Sequence, residues 1–400
     1  MNGSDTLLVT LTGGDRPGVT ARLFGTLATR DVRVVDVEQV VIRSVLVLGV
    51  LLDVRELDDV QLGSLRAAIE TTAYDLDMNA VISQGHQDDD PRRRGRLHVT
   101  VLAEPLLSSG VAAVAGALAD AGANIDRIVR LARHPVTCLE MEVSGADTSD
   151  LRSRLAQVTT EVAVDIAVQP TGLLRRSKRL VVMDVDSTLI QGEVIEMLAD
   201  HAGRRDEVAA ITAAAMAGGL DFADSLRHRV RMLAGLDEAV LDSVRRSIRL
   251  TPGARTLVRT LQRLDHAVGI VSGGFSQVVE PLAVELGVSA WAANTLEVVD
   301  GRLTGEVVGP IVDRAGKAAA LRAFAAASGV PLEQTVAIGD GANDLDMLTA
   351  AGLGVAFNAK AVVRAAADTA LRVPFLDVIL YLLGLTREEI EAVELDLVLD

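Results

Sequence analysis

The run Leu180-Val181-Val182-Met183 has no polar face, and it leads straight into Asp184 and Asp186. A strand that is apolar on both sides has to be covered on both sides, as the central strands of a parallel sheet are between layers of helices. Two carboxylates two residues apart at its end are costly to bury unless a cation or a proton compensates them. Ligands of open α/β sheets bind at the carboxyl ends of the strands, so the acidic pair marks a site. The short apolar pattern returns at 268–271 and 335–338, with helices expected at 275–286 and 344–351. An Ala-rich helical stretch from about 193 to 249 reads as a cap inserted after the first strand, and Asp300-Gly301, between alternating segments across 296–308, reads as a hairpin turn.

Further strand ends add to the acidic pair. Ser272-Gly273-Gly274 closes one strand and opens a helix, where small residues let backbone N–H groups approach a ligand and the helix start favours an anion. Lys317, after Gly316 and ahead of the helical run 318–327, has the wrong sign for the start of a helix and calls for a phosphate or carboxylate partner. Gly339-Asp340-Gly341-Ala342-Asn343-Asp344 follows the apolar Val336-Ala337-Ile338. The fold gathers Asp184, Asp186, Asp340 and Asp344 into an oxygen-ligand site for a hard cation, most naturally Mg²⁺.

The chain ahead of this region reads as two similar units, 1–84 and 96–170, with linkers at 85–95 and 171–179 and the acidic region at 180–400. Strands at 7–11, 32–41, 45–54 and 79–83 with helices at 18–28 and 60–72 make the first unit a ferredoxin-like β-α-β-β-α-β split unit. Strands at 97–102, 125–131, 137–143 and 162–168 with helices at 110–121 and 149–158 repeat it. Units of about 75 residues are marginal alone, so they are expected to pack together or to form a homodimer. The linkers carry Arg92-Arg93-Arg94 and Arg175-Arg176-Ser177-Lys178-Arg179, read as solvated runs. The tail beyond Pro374 carries little signal, and 387–400 reads as a solvated helix end.

The net charge of −16 argues against nucleic acid and against an anionic membrane surface as partners. Cys138 is the sole cysteine, which excludes an internal disulfide and a Cys-based zinc site and fits a reducing compartment. Residues 1–5 show no signal peptide, and the apolar run 45–52 falls short of the roughly 20 residues a bilayer needs, so a soluble cytoplasmic protein is expected.

The order DVDST, SGG, lysine, GDGAND resembles the haloacid dehalogenase superfamily of phosphatases, and most closely the family within it that hydrolyses phosphoserine. That family carries a Glu nine residues after its nucleophile, here Glu193, and an Arg in a Ser-Leu-x-x-Arg-Val context, here Arg229. The resemblance implies a Rossmann-like parallel-sheet core with a small helical cap. It makes Asp184 the nucleophile that forms an aspartyl-phosphate and Asp186 the general acid and base. Mg²⁺ would be held by Asp184, Asp340 and the backbone carbonyl of Asp186. Ser272, Gly273 and Lys317 would take the phosphoryl oxygens. Asn343 would border the substrate and, with Asp344, orient Lys317 and the waters on the metal. Glu193 would pair with the ammonium and Arg229 with the carboxylate of O-phospho-L-serine, in the last step of serine synthesis, with Phe222 lining the same pocket or packing in the core.

The paired N-terminal units resemble ACT domains, which implies an amino-acid effector, with serine as the natural one. The resemblance is best at 12–19, where Asp15 and Gly18 would meet the effector. Gly110 holds the same place in the second unit, which lacks the Asp-Arg-Pro. Two alternatives stay open: a phosphatase or phosphotransferase for another small phosphate such as phosphohomoserine, and a non-catalytic amino-acid sensor.

Overall fold

The computed structural model describes residues 6–30, 32–85, 96–172, 175, 177–216 and 222–392. Its chain divides into two compact units, Met1–Pro91 and Arg92–Asp400. No described helix is long and apolar enough to cross a membrane.

In the first unit β1 (Thr6–Gly14), α1 (Val19–Ala28), β2 (Arg33–Ile42), β3 (Val45–Asp53), α2 (Asp59–Asp75) and β4 (Met78–Gly85) form an antiparallel sheet of order β2-β3-β1-β4. The period-two pattern fixes which face is inside: Leu7, Val9 and Leu11 of β1 and Leu46, Leu48, Val50 and Leu52 of β3 are buried. Helix spacing supplies the other layer, with Val19, Leu23 and Leu27 from α1 and Leu65, Ile69 and Ala73 from α2. Asp58 and Gln61 start α2 with a reciprocal capping box. At its other end Arg16 Nη2 donates to the carbonyl of Leu76, which places the arginine of the Asp-Arg-Pro motif in the frame of the unit. β2 is exposed along its whole length, although it carries Val34, Val35, Val37, Val40, Val41 and Ile42.

The second unit opens with the same order of elements: β5 (Leu97–Ala103), α3 (Ser108–Asp120), β6 (Asn124–Ala132), β7 (Thr137–Ser144), α4 (Thr148–Glu161) and β8 (Asp165–Pro170), in a sheet β6-β7-β5-β8. Here the outer strand β8 is buried. Leu131, Val136 and Cys138 of this sheet share one core with Tyr381 and Leu382 near the far end of the chain. Gly110 is also buried, since a Cβ there would lie 2.8 Å from Val164 Cγ1, so its small size serves close packing of α3.

β9 (Leu180–Asp184) is the middle strand of a seven-stranded sheet of order β12-β11-β10-β9-β13-β14-β15. The remaining strands are β10 (Ala267–Phe275), β11 (Ala290–Val299), β12 (Arg302–Val308), β13 (Thr335–Gly339), β14 (Leu353–Phe357) and β15 (Thr369–Leu371). β9 pairs in parallel with both β10 and β13, which sets Asp184 level with Val271 and Met183 level with Ile338. Residues just past these positions therefore meet at one edge of the sheet. The hairpin forms as expected: β11 and β12 are antiparallel, and Asp300 (φ 50°) and Gly301 (φ 71°) turn between them.

The cap consists of α5 (Val194–His201), α6 (Arg205–Met216), α7 (Phe222–Arg231) and α8 (Ala239–Ser247). Its neck is stitched by Gln191 N to Arg249 O (2.8 Å) and Thr251 N to Leu189 O (3.0 Å). The hairpin holds it a second time, through Gly235 N to Leu303 O (2.8 Å) and Glu238 N to Gly301 O (2.8 Å). α9 (Ala254–Arg263), α10 (Ser276–Leu286), α11 (Arg314–Ala327), α12 (Leu345–Ala350), α13 (Ala361–Ala366) and α14 (Ile379–Leu382) complete the unit.

The structure corrects two readings of the sequence. The basic run after β8 is not a solvated linker: Arg175 and Lys178 are buried, Arg175 pairs with Glu140 and donates to Leu382 O, and Lys178 donates to Glu333 O. Buried carbonyls and a carboxylate, not water, take these cations. The segment after Pro374 is core, with Leu376, Val378 and 379–382 buried. Arg387, at the start of the last described turn, bonds to Asp377 and Glu391, and Ile390 is buried. Residues 86–95, 176 and 393–400, part of the two linkers and the tail, lie outside the described residues.

Cys138 is fully buried, and burial with the nearby Glu140 holds its thiol far above the ordinary range. The native protein is therefore expected to leave it unlabelled by a thiol reagent at about pH 8, with one thiol appearing on denaturation. Rapid labelling of the native protein would show that the sheet-to-core contact opens.

Candidate active site

Every strand end that meets beside β9 delivers a polar group. Asp184 ends β9, Ser272 and the two glycines lie near the end of β10, and Asp340 follows β13. Lys317 sits in the first turn of α11, whose start is fixed by Asp313 accepting from Gly316 N (2.8 Å). Its Nζ lies 2.6 Å from Asp184 Oδ1 and 2.7 Å from Asp344 Oδ1, with all three side chains nearly without solvent exposure. This accounts for a cation at the wrong end of a helix: two carboxylates outweigh the dipole.

Each carboxylate has distinct partners. Asp344 Oδ2 accepts from the backbone N–H of Asp340 (3.1 Å) and Gly341 (2.9 Å), so both its oxygens are committed. Asp186 turns away from Asp184. Its Oδ1 accepts from Val194 N (2.7 Å) and its Oδ2 from Ser272 Oγ (2.8 Å). Ser272 Oγ in turn accepts from Gly274 N (2.7 Å). A Cβ on Gly274 would stand 2.9 Å from Asp186 Oδ2, and one on Gly273 would stand 2.7 Å from Phe222 Cζ. The two glycines are needed because a carboxylate and the cap approach the backbone there.

The cap faces this edge with Glu193 and Arg229. Glu193 Oε1 accepts from Ser187 Oγ (2.6 Å). Arg229 is 5% exposed and donates to Ser225 O (3.2 Å) and Thr212 Oγ1 (3.0 Å). Among the described residues no carboxylate lies within ion-pair distance of it. Its hydrogen bonds go to neutral oxygens while Glu193, Asp186 and Glu196 support its charge from farther off, and a buried guanidinium so placed can take an anionic partner. Asp184, Asp186, Glu193, Phe222, Arg229, Gly273, Lys317 and Asn343 line one cavity.

The carboxylates outnumber the cations. Burial, with Asp344 beside it, pushes Asp184 well up, and burial also raises Asp186. Asp340 is pushed up to about 7 by burial and by Asp344, and Glu193 up to about 8 by burial and by Asp186. Burial works against the charge of Lys317, but Asp184 and Asp344 hold its ammonium charged. Burial lowers Arg229.

This excess of negative charge fits a hard divalent cation. Asp184, Asp340 and Asp344 each bring a carboxylate oxygen within 4.8 Å of the others. Asp184 and Asp340 are the more available, since Asp344 is spent on Lys317 and the loop backbone. Asn343 Oδ1 is buried without a hydrogen-bond partner among the described residues, an orphan that a hydrated cation or a substrate would satisfy.

Sequence reasoning quoted Thr188 within DVDST without giving it a role, and missed other supporting residues. Thr188 Oγ1 donates to Asp340 Oδ1 (3.3 Å), and Thr251 Oγ1 donates to Thr188 O (2.7 Å). Asn294 is buried in β11, donates to Gly273 O (2.8 Å) and accepts from Val312 N (2.7 Å). An asparagine in mid-strand was its signal, since that residue is depleted there. Thr212, within an Ala-rich helix, had none. Asp15 and Gly18 are exposed at a turn of the first unit, where Gly18 has φ 95° and open space around it.

Comparisons with known proteins show the family. Residues 181–349 match the haloacid dehalogenase-like hydrolase family, and residues 5–83 and 97–169 match ACT domains. A phosphoserine phosphatase of Streptomyces coelicolor is 61% identical, over 97% of this chain and 94% of that protein. The phosphoserine phosphatase SerB2 of Mycobacterium tuberculosis is 52% identical, over 97% of this chain and 95% of that protein. The crystal structure of a probable phosphoserine phosphatase from Vibrio cholerae matches with TM-score 0.57 and 32% identity, covering 77% of this chain and 91% of that one.

The raised carboxylates give the cation-free protein a signature. Asp340 and Glu193 keep protons up to about 7 and about 8 when folded, against ordinary values of 3.8 and 4.5. Between those limits the folded state binds more protons than the unfolded one, so stability falls as pH rises through that window. In chelator, Tm is expected to drop from about pH 5.5 to about pH 8, and added Mg²⁺ to remove most of the drop. A chelated protein equally stable across the window would mean that these groups are not held protonated.

Proposed function

The chain belongs to the phosphoserine phosphatases of the haloacid dehalogenase-like hydrolases, with two ACT domains ahead of the catalytic core, and from that premise we propose that it hydrolyses O-phospho-L-serine through an aspartyl-phosphate on Asp184 with Mg²⁺ as its cation. The carrying observation is a cavity with an acidic pair and Lys317 beside a half-buried carboxylate, Glu193, and a buried guanidinium, Arg229, that lacks an ion-pair partner among the described residues. The substrate supplies a phosphate for the first set, an ammonium for Glu193 and a carboxylate for Arg229. A bidentate fork suits the last pair.

In the first step an Asp184 carboxylate oxygen attacks phosphorus as the bond to the serine oxygen breaks. Asp186 gives its proton to that departing oxygen. Burial favours the protonated form of Asp186 at the outset. Ser272 donates to Asp186 in the resting site, and a bound phosphoryl group draws the same hydroxyl toward itself, which leaves Asp186 Oδ2 to carry the proton. In the second step Asp186 takes a proton from water as that water attacks the aspartyl-phosphate and frees Asp184. Lys317 and the N–H of Gly273 stabilise the phosphoryl oxygens as charge builds. Mg²⁺, held by Asp184, Asp340 and the backbone carbonyl of Asp186, would neutralise the phosphoryl group and orient it for in-line attack. Asp344 keeps Lys317 in place, and Asn343 borders the substrate.

We assign 1–84 and 96–170 to two regulatory domains and 180–400 to the catalytic domain, with the cap at about 193–249. An amino-acid effector, serine by preference, fits the turn at Asp15 and Gly18 of the first unit better than Gly110, where Val164 fills the space. The exposed apolar edge of β2 supports a homodimer formed through the first unit.

Asp184→Asn is expected to abolish phosphoserine turnover, and residual full activity would remove the nucleophile assignment. Arg229→Ala is expected to lower kcat/KM for phosphoserine roughly 100-fold, the loss of a buried charge pair worth about 3 kcal/mol, and to leave p-nitrophenyl phosphate within about threefold. Equal losses on both substrates would deny Arg229 the carboxylate role, and preferred turnover of phosphohomoserine would transfer the site to that substrate. Inhibition by L-serine that persists at saturating phosphoserine and is lost in Asp15→Ala would support the effector site, whereas purely competitive inhibition would place serine in the catalytic cavity.

A further inference from the structure

The small sheet of the second unit and the phosphatase sheet meet along their outer strands, β8 and β15, and one carboxylate dominates the junction. Asp165 opens β8 and is 3% exposed. Its Oδ2 accepts from the backbone N–H of Arg372 (2.6 Å) and of Val373 (3.1 Å), and its Oδ1 from Arg372 Nε (2.8 Å). Arg372 also donates to Thr159 O (3.1 Å) and Val164 O (2.6 Å). The backbone just past β15 is thus clamped by the ACT unit. Leu371, the last residue of β15, accepts from Asn358 N (2.8 Å). Asn358 sits in the left-handed region (φ 46°) directly after β14. Two residues on, Lys360 N donates to Asp340 O (3.2 Å). A continuous run of hydrogen bonds and short covalent links therefore joins Asp165 to the backbone of Asp340.

An isolated, half-exposed Asp–Arg pair is worth little. Asp165 does more, because it also takes two backbone N–H groups whose position decides where β15 ends. Asparagine in its place would lose the charge and could present an amide NH₂ to N–H groups that need an acceptor, displacing residues 372–373. The displacement would reach the Asn358–Lys360 turn through Leu371.

We propose that Asp165 is a positioning residue for the phosphatase: acting through Arg372 and the turn at 358–360, it sets the Asp340 loop, so that the second ACT unit tunes cation affinity. The inference rests on the reading that Asp340 holds the cation. Outer groups that orient metal ligands commonly change affinity 10–100-fold, and a more remote chain of contacts is expected to have less effect.

The test uses the full chain and Mn²⁺ as the probe, with bound metal measured without substrate from the electron paramagnetic resonance of the free ion. Asp165→Asn is expected to weaken Mn²⁺ binding roughly three- to tenfold, with KM for phosphoserine at saturating Mg²⁺ changed less than about twofold. Arg372→Lys, which keeps the charge and loses the fork, is expected to shift affinity the same way by less. Glu285→Gln, at the exposed pair with Arg255 outside this path, is expected to leave it unchanged. Mn²⁺ affinity within about twofold of the parent in both junction variants, whatever happens to Tm, would overturn the inference and leave Asp165 a structural residue. If Asp165→Asn does not fold, Arg372→Lys decides alone. Asp340→Asn separates the two readings: Mn²⁺ binding that survives it would overturn the cation site itself, while binding lost there but unmoved at the junction overturns only the positioning role.

Discussion

Lys317 holds one ammonium between Asp184 and Asp344 in a place with almost no solvent, and the phosphatase core is arranged around that charge. An unpaired charge at such a depth would be unstable, so the helix bearing Lys317, the strand bearing Asp184 and the loop bearing Asp344 are locked to one another. The arrangement still leaves the site short of positive charge. Burial raises Asp186, and burial together with neighbouring carboxylates raises Asp340 and Glu193; the deficit is what a metal ion and an ammonium-bearing substrate would make good. Binding and stability are thus coupled here through the same few carboxylates.

The two ACT units show how one topology serves different surroundings. Both have the strand order expected of a split β-α-β-β-α-β unit. In the first, β4, which holds the place of β8, keeps exposed residues along its length. In the second, the outer strand β8 is buried against the phosphatase, and Cys138 and Leu131 belong to a core that includes Tyr381. The second unit is for that reason part of the catalytic body in packing terms, although its sequence pattern closely follows that of the first.

Much of this was legible in the sequence, for identifiable reasons. The apolar run Leu180–Met183, which leads straight into an acidic pair, reads as a central strand, and the acidic, glycine and lysine motifs at strand ends mark where the site lies, so Asp184, Asp186, Ser272, Lys317 and Asp340 fall together as expected. Less legible were features decided by tertiary contact. β14 and β15 are short, α9 follows the cap without a break in pattern, and the apolar run near 378–383 is too brief to tell helix from strand. Arg175 and Lys178 look like surface residues until Glu140 and the carbonyls of Leu382 and Glu333 are in place. Thr212 and Asn294 act through single hydrogen bonds to distant segments, which leave no periodic trace.

The neck of the cap has a consequence for how such a protein can change. The chain leaves and re-enters the sheet through an antiparallel stitch at 189–191 and 249–251, between strands that pair directly with each other. Everything between is one exchangeable module in a socket, tied a second time at the hairpin near 301–303. An insert of different length or lining could be grafted there without disturbing the order of the strands or the acidic edge they build. On the proposed reading, selectivity and phosphoryl chemistry are thereby written in separate stretches of sequence, free to diverge at different rates.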